Sequence, residues 1–216
     1  MARITVLGGT GYAGAAVARE AAARGHEVTT VSRTEPDAPV EGVDHVTGSA
    51  LDADVLDLVV DGRDVVVVAL SPRGDMVGRL EGVVEELVGR LSGTDARLGY
   101  VGGASSLLVE EGGPRLWDVT QEHMPDEVKP EVQTGLDVLD LLQQTPEDLD
   151  WFFVSPPQDF GSWLDTPTKG TYVLGGDVLL KDAEGTSTIS ADDLALAIVD
   201  EVEQHAHCRR RFTAIA

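Results

Sequence analysis

The sequence predicts an α/β fold, a doubly wound and mostly parallel sheet with helices on both faces, built by a single domain. Apolar runs of strand length alternate with segments of helical period along the chain. The first such run, residues 4–7, is followed at once by a glycine-rich turn and an alanine-rich segment, as in a strand that leads into a helix. The chain has 216 residues, 42% of them hydrophobic, so residues 1–216 are expected to form one domain around one sheet.

The turn after the first strand carries three glycines, Gly8, Gly11 and Gly14, at a spacing of three residues. The first permits a tight turn, the second lets backbone amides approach a diphosphate, and the third lets the helix pack closely on the strand. The amino end of the helix then faces the anion. This context predicts a dinucleotide pyrophosphate site in a Rossmann-like fold, with the candidate residues Gly8, Thr10, Gly11, Tyr12, Ala13 and Gly14.

A helix is expected over residues 12–24, where alanine predominates, and the second strand over residues 26–32. A carboxylate at the end of that strand would accept hydrogen bonds from the adenosine ribose of NAD, but the residues there are Ser32 and Arg33. The guanidinium of Arg33 suits a 2′-phosphate, whereas Glu35 could still reach a ribose if the turn is tight. The pattern favours NADP (NADPH) as the cofactor and leaves NAD open.

The alternation continues through the middle of the chain. A short strand at residues 44–46 leads to a helix at residues 53–60, and the valine-rich run 65–70 predicts a strand buried on both faces. A long amphipathic helix follows, and a fifth strand is expected at residues 97–101. The apolar face of that helix consists of Val77, Leu80, Val84, Leu87, Val88 and Leu91.

The last third of the chain adds a helix at residues 131–144, a strand at residues 151–154 and a closing strand at residues 211–214. Between the last two strands, Ser190 and Asp193 have the spacing of a capping box, which predicts the start of a helix. The sheet is therefore expected to have seven or eight strands.

Ligands of open α/β sheets bind at the carboxyl ends of the strands. The turns expected after the third and fourth strands therefore supply further candidate cofactor residues. The full set in these turns is Ser49, Ala50, Leu51, Ala69, Leu70, Ser71 and Pro72.

Residues 107–130 have no clear period and are longer than a simple connector. We expect this segment, together with the one near residues 155–170, to shape a substrate pocket. The pocket candidates in the two segments are Trp117, Met124, Gln158 and Phe160.

The formal net charge is −22, and only three of the 16 basic residues are lysines. This excess of acid argues against partners such as nucleic acid or an anionic membrane surface. Much of the acid lies between residues 110 and 150, where it would repel an anionic substrate unless Arg73, Arg115 or Lys129 offset it. The expected partner is a small-molecule substrate, and the chain is expected to be a monomer or a homodimer.

No stretch approaches the roughly 18 uninterrupted apolar residues of a membrane span, and the amino terminus shows no signal-peptide pattern. We therefore expect a cytoplasmic protein. The single cysteine, Cys208, excludes an internal disulfide and agrees with a reducing compartment. His205 and His207 flank it, but in the absence of a second soft ligand we expect no metal site.

Three further motifs lie at expected strand ends: Gly102-Gly103-Ala104-Ser105-Ser106, Ser155-Pro156-Pro157 and Arg211-Phe212-Thr213. Together with the glycine motif and Arg33, they make the chain resemble the atypical short-chain dehydrogenase/reductases that bind NADP. Within that family the chain is similar to the group of NADH-flavin reductase-like and biliverdin reductase B type proteins. The resemblance covers nearly the whole chain.

The resemblance also implies site residues. In these proteins the serine after the fifth strand lies near the nicotinamide, which implies a catalytic role for Ser105 or Ser106. The residues around the proline pair border the same side. This implies Ser155, Pro156 and Pro157 as cofactor residues, with Gln158 beside the nicotinamide.

The chain departs from the wider superfamily in its catalytic pair, a tyrosine and a lysine four residues apart, in which the lysine lowers the pKa of the tyrosine. The only tyrosines are Tyr12, Tyr100 and Tyr172, and none precedes a lysine at that spacing. Tyrosine-dependent alcohol oxidation or epimerisation is therefore not expected. A second departure is Ser49, where related sequences often carry an acid that contacts adenine, and this leaves adenine recognition to Ser49 and Leu51.

The resemblance implies an NAD(P)H-dependent oxidoreductase that passes hydride to a flavin, a quinone or a similar conjugated acceptor, the flavin being a substrate. Such a transfer depends mainly on stacking the acceptor against the nicotinamide. A proton could come from solvent, from Ser105 or Ser106, or from His123. Two alternatives stay open: a non-catalytic NADP-binding redox sensor or regulator, and a sugar-nucleotide epimerase or dehydratase, which is disfavoured by the missing tyrosine.

Overall fold

The computed structural model describes residues 1–216 and confirms the doubly wound α/β fold. Eight strands form one sheet: β1 (Arg3–Leu7), β2 (Glu27–Ser32), β3 (Val43–Thr47), β4 (Val65–Val68), β5 (Arg97–Val101), β6 (Asp150–Ser155), β7 (Val173–Gly175) and β8 (Arg210–Ile215). The six helices are α1 (Tyr12–Ala23), α2 (Ala53–Val60), α3 (Leu80–Leu91), α4 (Leu116–Thr120), α5 (Lys129–Gln143) and α6 (Ala191–Gln204). None of them combines the length and the apolar composition that crossing a membrane requires.

The strands lie in the order β3-β2-β1-β4-β5-β6-β8-β7, and only the edge strand β7 is antiparallel to its neighbour. The chain starts at β1, builds outward to β3, and then returns to the other side of β1 with β4. The strand order therefore reverses between β1 and β4. The carboxyl ends of these two strands open a crevice, which is where an open α/β sheet binds its ligand.

Helices cover both faces of the sheet, as the four buried valines of β4 show. Val65 and Val67 belong to the core shared with α1 and α6. Val66 and Val68 belong to the core on the other face, which α2, α3 and α5 complete. A strand that is buried on both faces has no polar side, which explains why this run shows no alternation in the sequence.

Most elements lie within one or two residues of their predicted bounds, and three differences from the prediction can be named. The fourth strand ends at Val68 instead of residue 70. The helix predicted to include Val77 begins only at Leu80, because Gly78 adopts a left-handed backbone conformation with φ of 64°. The short edge strand β7 has two exposed apolar residues and no alternation, so it gave no signal in the sequence.

The predicted capping box at the start of α6 forms in part. The Ser190 hydroxyl accepts a hydrogen bond from the backbone N–H of Asp193 at 3.0 Å. The Asp193 carboxylate does not return to the backbone of Ser190 but accepts from the N–H groups of Lys169 and Gly170 at 2.9 and 2.7 Å. Asp193 therefore ties the segment that precedes β7 to the start of the helix.

Candidate functional site

A cavity of about 1010 Å³ lies at the carboxyl ends of the parallel strands. It extends from Arg33 and Ser49, after β2 and β3, past the glycine turn to Ser105 after β5 and Trp163 beyond β6. Its volume is at the upper end of the range for small-molecule sites. One continuous space therefore joins the predicted dinucleotide site to a second region on the far side of the turn.

The turn between β1 and α1 has no room for side chains at two of its three motif positions. Gly8 has φ of 87°, and a Cβ there would lie 2.5 Å from the carbonyl oxygen of Ala69. A Cβ at Gly14 would lie 2.3 Å from the carbonyl oxygen of Gly8. Glycine is therefore required for the turn itself and for the close packing of the helix against it.

The first turn of α1 leaves backbone amides unpaired at the cavity. Gly11 is the N-cap residue and has no side chain that could accept from them. The first hydrogen bond of the helix is donated by the N–H of Ala15 to the carbonyl of Gly11, so the N–H groups of Tyr12, Ala13 and Gly14 donate to no protein acceptor. Three free amides at the positive end of a helix dipole fit the diphosphate that the glycine motif predicts.

Arg33 lies at one end of the cavity and forms an ion pair with Asp75, with 2.7 Å between Nη1 and Oδ1. Both side chains are at least half exposed, so the pair is weak and either partner can exchange for another charge. Glu35, the acid that could have reached a ribose, is not part of the lining. Ser49 lines the same end, and its hydroxyl accepts a hydrogen bond from the backbone N–H of Leu51 at 3.2 Å.

The two serines after β5 differ in whether their hydroxyl groups are available to a ligand. Ser106 is 3% exposed, and its Oγ lies 3.3 Å from Oγ of Ser155, which is fully buried behind the lining. Ser105 is half-buried, and its hydroxyl has no protein partner. Ser106 is thus held in a buried hydroxyl pair, whereas Ser105 has the hydroxyl available to a ligand.

Most of the candidate residues from the sequence line this cavity. The cofactor candidates that do so are Gly8, Thr10, Gly11, Tyr12, Ala13, Ser32, Arg33, Ser49, Ala50, Ala69, Leu70, Ser71, Pro72, Pro156 and Pro157. Ser105, Ser106, Gln158 and Phe160 line it as well. Gly14, Leu51 and Ser155 lie behind the lining.

The structure does not bring Trp117, His123 and Met124 to the cavity. Their segment instead contacts residues near the edge strand β7, because Leu108 forms isolated β-bridges with Arg115 and Val178. Arg115 further ties it to Asp140 of α5 at 2.7 Å. The segment therefore runs along the outside of the molecule, and only its last part, at Val128, reaches the lining.

Sequence reasoning missed the wall of the cavity that α5 supplies with Glu131, Val132, Gly135 and Leu136. Val128 and the residues Gly161, Ser162 and Trp163 of the loop after β6 also line the cavity, and they lie in the segments 107–130 and 155–170 that were expected to shape a pocket. One signal was available in the sequence. A glycine inside a helix, such as Gly135, is disfavoured unless close packing or a ligand needs the space, and the space beside Gly135 is open.

The charge of the lining differs from that of the molecule. Only three charged residues line the cavity, Arg33, Arg73 and Glu131, in a chain of net charge −22. The loop of residues 71–76 connects them, since Arg73 pairs with Glu131 at 3.0 Å and Asp75 pairs with Arg33. The lining therefore carries one more positive than negative charge within an acidic molecule, which suits an anionic ligand.

The lining contains no lysine. Tyr100 is buried against Phe153, and this burial raises the pKa of its hydroxyl. Tyr172 lies away from the cavity, where burial and its hydrogen bond to Asp200 raise its pKa to about 12. These two tyrosines are therefore not activated for proton transfer, and Tyr12, which lines the cavity, has no lysine in that lining as a partner.

A second group of titratable side chains lies at the amino ends of β6 and β8, on the side of the sheet away from the cavity. No metal site was expected there from the sequence. Ligand-type atoms of Asp150, His205 and Cys208 lie within 4.8 Å of one another. The Asp150 carboxylate already accepts from Arg97 at 2.6 Å and from the Cys208 thiol, which raises the pKa of that thiol. The contacts of Asp150 with Arg97 and His205 are all made by Oδ2, and its buried Oδ1 has no hydrogen-bond partner.

Comparison with known proteins adds to this geometry. Residues 8–205 match the model of a family described as NAD(P)H-binding. The chain is 32% identical to the uncharacterized protein YwnB of Bacillus subtilis, over 99% of this chain and 98% of that protein. It is 33% identical to the solved structure of SP1627 from Streptococcus pneumoniae, described as a "putative NADH-flavin reductase", with a TM-score of 0.87 and coverage of 100% and 99%. A solved structure from Bacteroides thetaiotaomicron described as a "putative epimerase" is 30% identical, with a TM-score of 0.82 and coverage of 99% and 96%.

Proposed function

We propose that this chain, which belongs to the NAD(P)H-binding family, is a reductase that transfers hydride from NADPH to a flavin, a quinone or a similar conjugated acceptor. The observation that carries the proposal is the continuity of the cavity. It extends beyond the dinucleotide cradle into a second region walled by apolar and aromatic side chains, and it holds no tyrosine–lysine pair. Such a site suits a reaction that needs stacking and alignment of two planar groups more than acid–base chemistry.

The residues of the chain bind and orient the reactants. The free amides of Tyr12, Ala13 and Gly14 suit the diphosphate, and Arg33 suits a 2′-phosphate. A bound reduced nicotinamide supplies the hydride. Ser105 offers a hydroxyl that can donate a hydrogen bond to the acceptor, and solvent at the open mouth of the cavity can supply the proton.

The preference for NADPH over NADH depends on Arg33. Because the ion pair with Asp75 is exposed and weak, a 2′-phosphate can replace the Asp75 carboxylate as partner of the guanidinium. The substitution Arg33→Ala should weaken NADPH binding roughly tenfold or more and leave NADH binding nearly unchanged. Fluorescence titration of both cofactors measures this, and an equal fall in both affinities would refute the NADPH preference.

The direct test of the function is the loss of NADPH absorbance on mixing the protein with FMN, riboflavin and a panel of quinones, with NADH run in parallel. Saturable turnover that prefers NADPH supports the reductase. Tight NADPH binding without turnover of any acceptor would favour the alternative of a redox sensor, which also needs no tyrosine–lysine pair.

Single substitutions test the two serines. Because Ser105 has the available hydroxyl and Ser106 is held in a buried pair, Ser105→Ala should lower the turnover rate several-fold, and Ser106→Ala should lower mainly stability. Steady-state kinetics and thermal unfolding of both variants give the answer. If neither substitution alters turnover or acceptor affinity, the serines do not contact the acceptor.

A further inference from the structure

We propose that Arg73, oriented by Glu131 and Trp163, is the acceptor-binding residue of this site and selects planar acceptors that carry an anionic group. This inference rests on the proposed function and adds the charge of the acceptor to it.

Arg73 stands in the second region of the cavity, on the loop that follows β4. Its neighbours there come from α5, through Glu131, and from the loop after β6, through Trp163. Both of those elements border the region beyond the glycine turn. Arg33, the other arginine of the lining, stands at the adenosine end of the cavity and has its own partner in Asp75.

Trp163 is held in place although its side chain is 67% exposed. A Cβ at Gly161 would lie 2.2 Å from the indole ring, so the ring packs directly on a backbone that has no side chain. The guanidinium carbon of Arg73 lies 5.5 Å from the ring centroid, within range of a cation–π contact. The indole thus provides a fixed aromatic surface that orients the guanidinium.

Only part of the guanidinium is used within the protein. Nε of Arg73 donates to the Glu131 carboxylate at 3.0 Å, and the two Nη groups donate to no protein acceptor. Since the side chain is 60% exposed, these donors are accessible from the cavity. An oriented guanidinium with two free Nη groups is suited to bidentate binding of a phosphate, carboxylate or sulfonate.

The net charge of the molecule makes a local positive charge necessary for binding an anionic acceptor. An anionic acceptor would be repelled by most of a surface of net charge −22, so it needs a local positive charge in order to bind. Arg73 is the only cation of the lining on the acceptor side. Glu131 offsets part of that charge and should therefore limit the affinity for anions.

FMN and riboflavin test the inference because they differ only in a phosphate group. We expect the wild-type protein to have the higher kcat/KM for FMN. Arg73→Gln should reduce kcat/KM for FMN roughly tenfold to a hundredfold, mainly through KM, and change the value for riboflavin less than about twofold. Glu131→Gln should increase the preference for FMN. The pair 1,4-naphthoquinone and its 2-sulfonate should behave in the same way as riboflavin and FMN.

The matched control is Arg115→Gln, which removes a guanidinium that also pairs with α5 but lies outside the cavity. Arg115→Gln should leave the ratio of kcat/KM for FMN to kcat/KM for riboflavin unchanged. Trp163→Phe should retain most of the preference and Trp163→Ala should lose it, because the ring orients the guanidinium.

Binding measurements test the role of Arg73 independently of whether the protein is a reductase. If no acceptor is turned over, equilibrium titration of FMN and riboflavin by flavin fluorescence still shows whether Arg73→Gln weakens FMN alone. Equal effects on FMN and riboflavin would overturn the inference. A loss of NADPH affinity with an unchanged FMN affinity would also overturn it, because it would assign Arg73 to the cofactor.

Discussion

Gly11 differs from the other two glycines of its motif in the space around it. A Cβ at Gly11 would lie 3.2 Å from the carbonyl oxygen of Gly8, a contact that a small shift relieves, whereas Cβ atoms at Gly8 and Gly14 would overlap backbone atoms. Its φ of −77° is ordinary for any residue. The fold therefore tolerates a side chain at residue 11, and on the proposed function it is the bound diphosphate that requires glycine there.

We expect Gly11→Asp to lower NADPH affinity at least a hundredfold while the melting temperature stays the same or rises slightly. Aspartate is a favoured N-cap residue, so its carboxylate would accept from the free amides of α1 in place of the diphosphate. Gly14→Val, by contrast, should lower stability because of its steric overlap. Fluorescence titration and thermal unfolding distinguish the two effects, and unchanged NADPH affinity in Gly11→Asp would contradict the site.

Cys208 is exposed, yet its thiol should react slowly. The hydrogen bond to Asp150, with some burial, raises the pKa of the thiol, so the thiolate fraction at pH 8 is lower than for an unperturbed cysteine. We expect the rate of alkylation by iodoacetamide to keep rising well above pH 9. Asp150→Asn removes the negative charge beside the thiol, so the alkylation rate of Cys208 should begin to rise at a lower pH. Mass spectrometry follows the reaction directly because the chain has one cysteine, and identical pH profiles would rule out the role of Asp150.

Residues that act together with close sequence neighbours could be predicted from the sequence. The glycine turn and Arg33 depend on a strand, a turn and a helix within about 30 positions. Arg73, Glu131 and Trp163 lie on three separate segments, and only the tertiary fold brings them together. Trp117, His123 and Met124 had the composition of pocket residues, but the path of their segment takes them outside.

At the scale of elements, Arg97 joins β5, β6 and α6. It is 5% exposed and donates from Nη2 to Glu201 at 2.8 Å and from Nε to Asp150 at 2.6 Å. Burial acts to raise the pKa of Glu201, but hydrogen bonds from Arg97 and His207 outweigh it and hold the pKa below its ordinary value. Because the folded pKa is lowered, Glu201 stabilises the fold above its unfolded pKa, and this stabilisation is lost as pH falls through the folded value.

Glu201→Gln should therefore lower the free energy of unfolding by about 2 kcal/mol at pH 7, since it removes one of the two carboxylates that pair with the buried Arg97 and leaves only Asp150. The difference from wild type should narrow as the pH is lowered toward 4 and below, because wild type then loses the same charge. Urea unfolding at several pH values measures both effects. The exposed Glu111→Gln is the control, and a difference that does not depend on pH would exclude the ion pair as the cause.

The sequence predicted the central elements well because burial on both faces and helical amphipathicity leave strong periodic signals. It predicted the start of α3 poorly, since the three-residue turn Gly74–Met76 and the left-handed Gly78 precede it without breaking the apolar pattern. It missed β7, whose pairing with β8 depends on a distant strand more than on its own residues.

For the whole molecule, the main contrast is between a net charge of −22 and a cavity whose only charged lining residues are two arginines and one glutamate. An anionic cofactor approaches a like-charged body and is attracted only over the last few ångströms. Salt screens charges that are more than about 8 Å apart at physiological ionic strength, and it screens the close contacts less. Added salt therefore weakens the long-range repulsion between the cofactor and the protein more than the close attraction to the two arginines.

We expect the association rate of NADPH to increase several-fold between about 10 and 150 mM salt, the reverse of ordinary electrostatic steering. Stopped-flow measurement of NADPH fluorescence at a series of salt concentrations tests this. A rate that falls steadily with salt would mean that Arg33 and Arg73 dominate the field at long range as well.

The loop of residues 71–76 carries two of the ion pairs that restrain the mouth of the cavity, Asp75 with Arg33 and Arg73 with Glu131. A phosphate that takes Arg33 as its partner releases Asp75, and with it one of the two attachments of the loop that carries Arg73. Arrival of one reactant thus loosens the residue assigned to the other. The two binding regions are thus coupled through one loop, and we expect a bound dinucleotide to change the affinity for an anionic acceptor.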